Sequence, residues 1–134
     1  RGGDGGQMRD LIYVEDVARA NLLVAHDSRA DGQVFNVGTG QAAEIGMLAG
    51  LLAEKLGKPI APLIPGEFRP GEMRALISDG SRLGELGFRP LVRLEDGIGR
   101  YLDWVREQGA IAEYFGAAQR QLRRRRVVKQ AGAA

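Results

Sequence analysis

The chain has 134 residues, of which 44% are hydrophobic and 27% charged, and its formal net charge is +2. These values are typical of a globular chain of domain size with a core of its own. The absence of cysteine excludes a disulfide framework and a cysteine-ligated zinc site, and no apolar run approaches the roughly 18 residues of a membrane span.

The positive charge is concentrated at the C-terminal end. Residues 119–134 contain no acid and six basic residues: Arg120, Arg123, Arg124, Arg125, Arg126 and Lys129. Without them, 13 basic residues face 17 acidic ones, a net charge of −4. The sequence pI of about 9.3 therefore does not predict a nucleic-acid-binding domain. The chain begins at Arg1 rather than Met and runs into a glycine-rich loop, which indicates a fragment or a processed chain.

Short strands and helices are predicted to alternate along the chain. We predict strands at Arg9–Val14, Gln33–Val37, Ile60–Ile64 and Ala75–Ser78. Helices are predicted at Glu15–Asp27, Glu44–Leu56, Asp79–Leu86 and Leu94–Gln108. So few short strands favour an α/β or α+β body and are too few for a complete doubly wound sheet. The basic end is predicted to be a polar helix that frays into the last four residues.

Several single residues are assigned roles within these elements. Asp16 is predicted to cap its helix, and Gly57 and Gly87 to end theirs. Pro62 limits its strand to a sheet edge. In the last predicted body helix, the spacing of apolar residues points one set of side chains inward: Leu94, Ile98, Tyr101, Leu102 and Val105.

Two arginines stand beside acids and turn residues. Arg9 precedes Asp10 after the glycine-rich loop, and Arg69 begins Arg-Pro-Gly-Glu, which ends at Glu72. A guanidinium binds phosphate as a planar, permanently charged fork, and two forks from separate segments suit a diphosphate. The plainer interpretation of Arg9-Asp10 is a solvated ion pair. The Pro-Gly turn lies in a loop, where binding groups concentrate.

The sequence Gly38-Thr39-Gly40-Gln41-Ala42-Ala43 matches the Gly-x-Gly-x-x-Ala pattern of dinucleotide sites. The acid expected about 20 residues later is absent, however. We therefore expect a structural turn here rather than an NAD site.

Groups for catalysis are scarce. The short-chain dehydrogenase pair Tyr-x-x-x-Lys is missing, because none of the three tyrosines has a lysine four residues later. His26, the one histidine, is predicted at an exposed helix end. The acid pairs Glu15-Asp16 and Glu95-Asp96 begin helices, where the helix dipole explains them.

The run Arg123–Arg126 would surround a helix with charge, since each residue turns about 100°. That leaves no apolar stripe for a bilayer. A solvated or disordered tail is expected, with salt-sensitive polyanion binding as the alternative.

From about Asp4 to Glu107 the chain resembles the extended short-chain dehydrogenase/reductases that act on nucleotide sugars, the NAD-dependent epimerases and dehydratases. The resemblance rests on the stretches Gly-Asp-Gly followed by Arg-Asp-Leu-Ile-Tyr-Val-Glu-Asp-Val-Ala, Val-Phe-Asn-Val-Gly-Thr-Gly, Arg-Pro-Gly-Glu, and Ser-Asp-Gly-Ser-Arg-Leu-Gly-Glu-Leu-Gly-Phe-Arg-Pro. It implies the C-terminal substrate-binding lobe of an extended Rossmann-type enzyme without the dinucleotide-binding half. Residues 1–108 would form this nucleotide-sugar-binding lobe, and residues 109–134 a basic helical or disordered tail.

The resemblance also implies site residues and partners. Arg9 and Arg69 would contact the diphosphate of a UDP- or dTDP-sugar, and Glu72 the ribose. NAD and the catalytic pair would belong to an N-terminal half upstream, in a cytoplasmic enzyme compatible with a homodimer. Leu11 and Leu76 depart from the family's usual aromatics, so the choice between uridine and thymidine stays open. An inactive fragment or a stand-alone binding module is the alternative.

Overall fold

The computed structural model describes residues 3–109 and 114–130. Its fold is mixed α/β. Contacts divide the chain into two compact units, the first comprising Arg1–Gln7, Glu44–Arg74 and Tyr101–Ala134, and the second Met8–Ala43 and Ala75–Arg100. The elements in chain order are β1 (Met8–Arg9), α1 (Val14–His26), β2 (Ala43–Glu44), α2 (Ile45–Lys55), β3 (Glu67–Phe68), β4 (Ala75–Leu76), α3 (Ser81–Glu85), α4 (Leu94–Glu107), α5 (Phe115–Arg124) and β5 (Lys129–Gln130).

The strands are shorter than predicted. In the second unit β1 pairs in parallel with β4, Met8 opposite Ala75 and Arg9 opposite Leu76, in a sheet of order β2-β1-β4. Of the predicted strand at Arg9–Val14 only Arg9 lies in β1, and the chain is helical from Val14. The predicted strand at Gln33–Val37 does not form, although its apolar residues Phe35 and Val37 pack against the core.

Helix α1 confirms its predicted position but not its predicted cap. The N-cap is Tyr13, and Asp16 lies inside the first turn with 1% of its surface exposed. Its carboxylate accepts the backbone N–H groups of Leu91, at 3.0 and 3.1 Å, and Val92, at 3.0 Å, and pairs with Arg19. The prediction that Asp16 caps the helix is therefore wrong, because its side chain bonds to a segment 75 residues away.

Burial of Asp16 by itself raises the pKa of its carboxyl. The hydrogen bonds from Val92, Leu91 and Arg19 outweigh that effect, and the pKa lies below its ordinary value of 3.8. The carboxylate is therefore charged at neutral pH, although it is buried.

The core of the second unit is small. Ala20, Leu83 and Phe88 are buried together, and partly buried residues surround them: Ile12, Leu23, Val24, Phe35, Val37 and Leu86. Leu83 and Phe88 belong to the end of α3, where the Phe88 N–H bonds to the Leu83 carbonyl and the Gly87 N–H to the Gly84 carbonyl. This is a Schellman motif with its apolar contact, and it confirms Gly87 as the residue that ends the helix.

In the first unit, α2 confirms the predicted helix to within a residue at each end. Gly57, with φ at +62°, follows the C-cap Leu56, and the Lys58 N–H reaches the Ala53 carbonyl. The predicted strand at Ile60–Ile64 is not formed. Helix α4, whose residues to Arg100 are assigned to the second unit and those from Tyr101 to the first, also lies where predicted. Its Ile98 and Leu102 are buried, but Tyr101 is 52% exposed, so the inward prediction is wrong for that residue.

The basic C-terminal segment forms a helix and a short strand within residues 114–130. Helix α5 ends at Arg124, so the expectation that Arg123–Arg126 lie on one helix is wrong. Arg126 adopts φ at +53°, and the Val127 N–H returns to the Leu122 carbonyl at 3.1 Å. The chain then forms β5, which is antiparallel to β3. The predicted fraying of the last four residues lies outside the described residues, and a boundary at residue 108 remains a prediction. Within the described ranges, no helix is both long and apolar enough to cross a membrane.

Replacing Asp16 by Asn should lower the free energy of unfolding by about 1–3 kcal/mol, because an amide presents N–H where the backbone of Leu91 and Val92 requires an acceptor. Urea unfolding followed by circular dichroism at pH 7 measures this. Asp96→Asn is the matched control, because Asp96 is an exposed acid in the first turn of α4. Equal losses in the two variants would contradict the assignment.

The hydrogen bonds of the Asp16 carboxylate also predict that the stability of the chain falls in acid. A carboxyl whose pKa is lowered by folding contributes stability above its unfolded pKa, and this contribution is lost as pH falls through the folded value. The unfolding free energy of the native chain should therefore decline below pH 3.8, toward the lower folded pKa of Asp16. The decline should be shallower in Asp16→Asn, and identical acid profiles for the two proteins would refute this role.

Replacing Arg126 by Gly should slow exchange of the Val127 amide hydrogen, because a side chain in the left-handed region costs roughly 1–2 kcal/mol that glycine avoids. Hydrogen exchange by NMR measures the protection. Arg125→Gly provides the contrast, since Arg125 has φ at −81° and glycine there brings no relief. Slower exchange in both variants, or in neither, would count against strain at Arg126.

Candidate functional site

The second arginine lies in a tight turn of the first unit. We call residues 65–74 the arginine loop. Strand β3 leads into Arg69, and the Glu72 N–H bonds to the Arg69 carbonyl at 3.1 Å. Gly71 has φ at +83°, and with Pro70 before it this is a type II turn. Arg69 and Glu72 are both exposed, one at each end of the turn.

The C-terminal segment holds the loop before this turn. Glu67 pairs with Gln130 and Phe68 with Lys129 in the β3–β5 ladder. The Arg123 guanidinium donates from Nε to the Glu67 carboxylate at 2.9 Å, and its Nη2 lies 2.7 Å from the same oxygen in an ion pair. The Gln130 amide donates to the Pro65 carbonyl at 2.7 Å. Backbone and side-chain bonds therefore fix the approach to Arg69.

The glycine-rich N-terminal loop holds the arginine loop after the turn. Arg74 Nη1 lies 2.8 Å from each carboxylate oxygen of Asp4, and the Gly6 N–H donates to Asp4 at 2.9 Å. The hydrogen bond from Arg74, with that from Gly6, lowers the pKa of Asp4 to about 2. The carboxylate is therefore ionised at any physiological pH, and this attachment of the loop persists.

Arg9, the first predicted phosphate contact, belongs to the second unit. It is half-buried as the second residue of β1, and its Nη1 donates to the Met8 carbonyl at 2.8 Å. The structure thus brings Arg69 and Glu72 together in one turn and places Arg9 in a separate compact unit.

Asp10, next to Arg9, joins three segments of the second unit. Its carboxylate accepts the N–H groups of Thr39 and Gly40, each at 2.9 Å, and that of Ser78 at 3.3 Å. The Thr39 hydroxyl also donates to it. Burial raises the pKa of Asp10, but these bonds outweigh burial and leave the pKa lowered. The solvated ion-pair interpretation is therefore wrong for this aspartate.

These bonds also decide the nature of the Gly-x-Gly loop. A dinucleotide pyrophosphate would need the backbone N–H groups that donate to Asp10, and a carboxylate in that place repels it. A Cβ on Gly38 would lie 2.3 Å from the Ser78 Cβ, so this glycine allows close packing. The expectation of a structural turn is confirmed, and these residues do not fit NAD.

Other chemical groups offer little. His26 is exposed at the last residue of α1, as predicted. In the described part of the chain, no cluster of His, Asp and Glu could hold a metal ion. Glu15 pairs with Arg100 at 2.9 Å, and that guanidinium lies 5.5 Å from the centre of the Tyr13 ring. These contacts join the start of α1 to α4.

Sequence reasoning missed the residues that hold the site. Glu67 stands in no motif, and the sequence noted Asp4 only in Gly-Asp-Gly and Arg123 only in the arginine run, because their partners are distant in the chain. Asp10 had a signal as the acid that follows Arg9 within the predicted strand.

Comparison with known proteins shows which family this chain resembles. The family model described as the NAD dependent epimerase/dehydratase family matches residues 1–38. A putative UDP-glucose 4-epimerase of Methanocaldococcus jannaschii is 32% identical over 104 residues, covering 78% of this chain and 33% of that protein. The UDP-glucose 4-epimerase of Mycolicibacterium smegmatis is 36% identical over 110 residues, covering 79% and 34%.

Solved structures give the same result. UDP-glucose 4-epimerase of Thermotoga maritima with UDP-glucose aligns with a TM-score of 0.70 at 38% identity, over 81% of this chain and 34% of that one. The Thermus thermophilus UDP-glucose 4-epimerase, solved with NAD, aligns with a TM-score of 0.67 at 33% identity, over 83% and 34%. The chain therefore belongs to the NAD-dependent epimerase/dehydratase family and spans about a third of the length of the relatives it matches.

Proposed function

We propose that this chain is the nucleotide-sugar-binding part of an NAD-dependent sugar epimerase or dehydratase. The arginine loop carries the proposal, because Arg69 and Glu72 project from a turn held on both sides. Family membership supplies the context, since the Thermotoga maritima relative was solved with UDP-glucose.

The chemistry of the turn suits this ligand. The exposed Arg69 guanidinium can donate two parallel hydrogen bonds to phosphate oxygens. The Glu72 carboxylate can accept a hydrogen bond from a ribose hydroxyl. Because the turn fixes the backbone at both residues, little conformational freedom is lost on binding.

Arg9 is proposed as the second diphosphate contact. It stands in the stretch Arg-Asp-Leu-Ile-Tyr-Val-Glu-Asp-Val-Ala that resembles the family, and it lies in β1, whose neighbour Asp10 is fixed by bonds to Thr39, Gly40 and Ser78. A half-buried guanidinium on a rigid strand would bind a phosphate without a large loss of side-chain entropy.

In the complete enzyme, NAD would be the cofactor and supply reversible oxidation of the sugar. The Thermus thermophilus relative was solved with NAD. The residues described here do not fit the dinucleotide, so we assign this chain to substrate binding and assign NAD to another part of the enzyme. Binding energy at the distant diphosphate would orient the reacting carbon and so support catalysis. A cytoplasmic location and a homodimer of the complete enzyme belong to the same proposal.

A stand-alone binding module or an inactive fragment is the competing function, and the gene neighbourhood separates the two. An upstream reading frame that encodes Gly-x-x-Gly-x-x-Gly and Tyr-x-x-x-Lys would support the enzyme. A complete, independent gene for this chain without such a neighbour would support the module.

Titration of the chain with UDP, followed by NMR chemical shifts, measures even millimolar affinity. Arg69→Ala and Arg9→Ala should each weaken binding by about 1.5–3 kcal/mol, the range for hydrogen bonds to charged groups. Glu72→Gln should weaken binding less, because the amide oxygen remains an acceptor.

Arg93→Ala is the matched control, because Arg93 is 80% exposed and lies 3.7 Å from Glu95 in an ordinary surface pair. It removes the same charge from the chain and should leave the affinity for UDP unchanged. Titration curves that are the same for the native chain, Arg69→Ala and Arg9→Ala would overturn the site.

A further inference from the structure

We propose that the C-terminal segment 114–130 is a strap that positions the arginine loop for the nucleotide, with Arg123 and Glu67 as its positioning residues. The inference rests on the proposed function of Arg69 and goes beyond it. The stretch that carries the family resemblance ends near Glu107, before the strap begins.

The first support is the position of the β3–β5 ladder. β3 ends at Phe68, which pairs with Lys129, and the next residue is Arg69. The backbone hydrogen bonds of a two-residue strand are lost together when its partner leaves. The strap therefore controls the backbone conformation immediately before the guanidinium that we assign to the diphosphate.

The second support is the Arg123–Glu67 pair. Nε of Arg123 donates to a Glu67 carboxylate oxygen at 2.9 Å, Nη2 lies 2.7 Å from the same oxygen in an ion pair, and the Glu67 side chain is only 19% exposed. Loss of the arginine would leave a mostly buried carboxylate without this charged partner. Glu67 would then move toward water, and β3 would move with it.

The third support is the path of the strap itself. Helix α5 brings Arg123 to Glu67, and the reversal at Arg126 returns the chain to form β5. The Gln130 amide then reaches the Pro65 carbonyl at 2.7 Å. The strap thus contacts the loop at Pro65, Glu67 and Phe68, all before the turn.

The attachments on the two sides of the turn come from different segments of the chain. After the turn, Arg74 bonds to both oxygens of Asp4. Before the turn, the backbone of Gly3 packs closely on Gly66 and Glu67, and the strap supplies the ladder to β3 and the hydrogen bonds to Glu67 and Pro65. Release of the strap would remove these hydrogen bonds, widen the range of Arg69 positions and lower the affinity for the nucleotide.

The test uses the full chain and two measurements, amide hydrogen exchange across residues 67–72 and titration with UDP by NMR. Arg123→Ala should speed exchange of these amides about tenfold and raise the Kd for UDP about three- to tenfold, because a charged hydrogen bond to a buried carboxylate is lost. Arg123→Lys keeps the positive charge but loses the planar guanidinium, so it should recover part of both effects.

The control is Arg124→Ala, which removes the same charge from the neighbouring exposed position of α5 and should change neither measurement. Exchange in α2, which belongs to the same unit as the strap, should be unaffected by Arg123→Ala, which shows that this unit of the variant is folded. If α2 is affected, Glu67→Gln replaces it, because the amide keeps the acceptor atom but not the charge.

The outcomes separate the two proposals. Unchanged exchange at residues 67–72 in Arg123→Ala would overturn the strap. Faster exchange with an unchanged Kd for UDP would overturn positioning. Native affinity for UDP in Arg69→Ala would overturn the proposed function alone, while faster exchange in Arg123→Ala would still support the hold of the strap on the loop.

Discussion

The carboxylate of Asp16 is the interaction on which the second unit depends. It lies inside α1, almost without exposure, and binds the backbone of Leu91 and Val92 far along the chain. The buried apolar cluster around Ala20, Leu83 and Phe88 is small, so area burial alone leaves the position of α1 weakly determined. Directional bonds from backbone N–H groups to a charged acceptor supply the missing specificity, and the pKa of Asp16 stays low because these bonds outweigh its burial.

The same device recurs at Asp10, and there it has a functional consequence. Asp10 satisfies the backbone donors of Thr39 and Gly40 in a loop whose sequence matches a dinucleotide motif. Those donors would otherwise form an anion site, since N–H groups in a glycine-rich turn attract phosphate. The Asp10 carboxylate instead connects the end of β1 with this loop and with Ser78. A dinucleotide motif in the sequence therefore does not by itself make a phosphate site, because the backbone N–H groups can bind a carboxylate of the chain instead.

In the first unit, two ion pairs hold the arginine loop in place. The arginine loop is held through Asp4 and Arg74 on one side and through Glu67, Arg123 and β5 on the other. The turn between them presents Arg69 and Glu72 to solvent. An exposed arginine on a fixed turn suits the recognition of a phosphate. The described residues offer few acid–base pairs, which suits the proposal that this chain binds the substrate. In the proposed enzyme, this chain would hold the nucleotide sugar while other residues perform the redox chemistry.

The sequence by itself determined what neighbouring residues decide. Gly57 and Gly87 ended their helices where predicted, and Pro70-Gly71 formed the turn, because these residues restrict or permit particular backbone angles within one turn of chain. The run of motifs also sufficed to identify the family.

Only the tertiary structure decided which carboxylate binds which distant donor. Asp16 looked like a cap and Asp10 like half of a solvated pair, and Glu67 gave no signal at all. The partners that fix them are distant, because Leu91 lies 75 residues from Asp16, Thr39 lies 29 from Asp10, and Arg123 lies 56 from Glu67. Strands of two residues are likewise invisible in sequence, since they are too short to show a period and exist only where a partner strand supplies their hydrogen bonds.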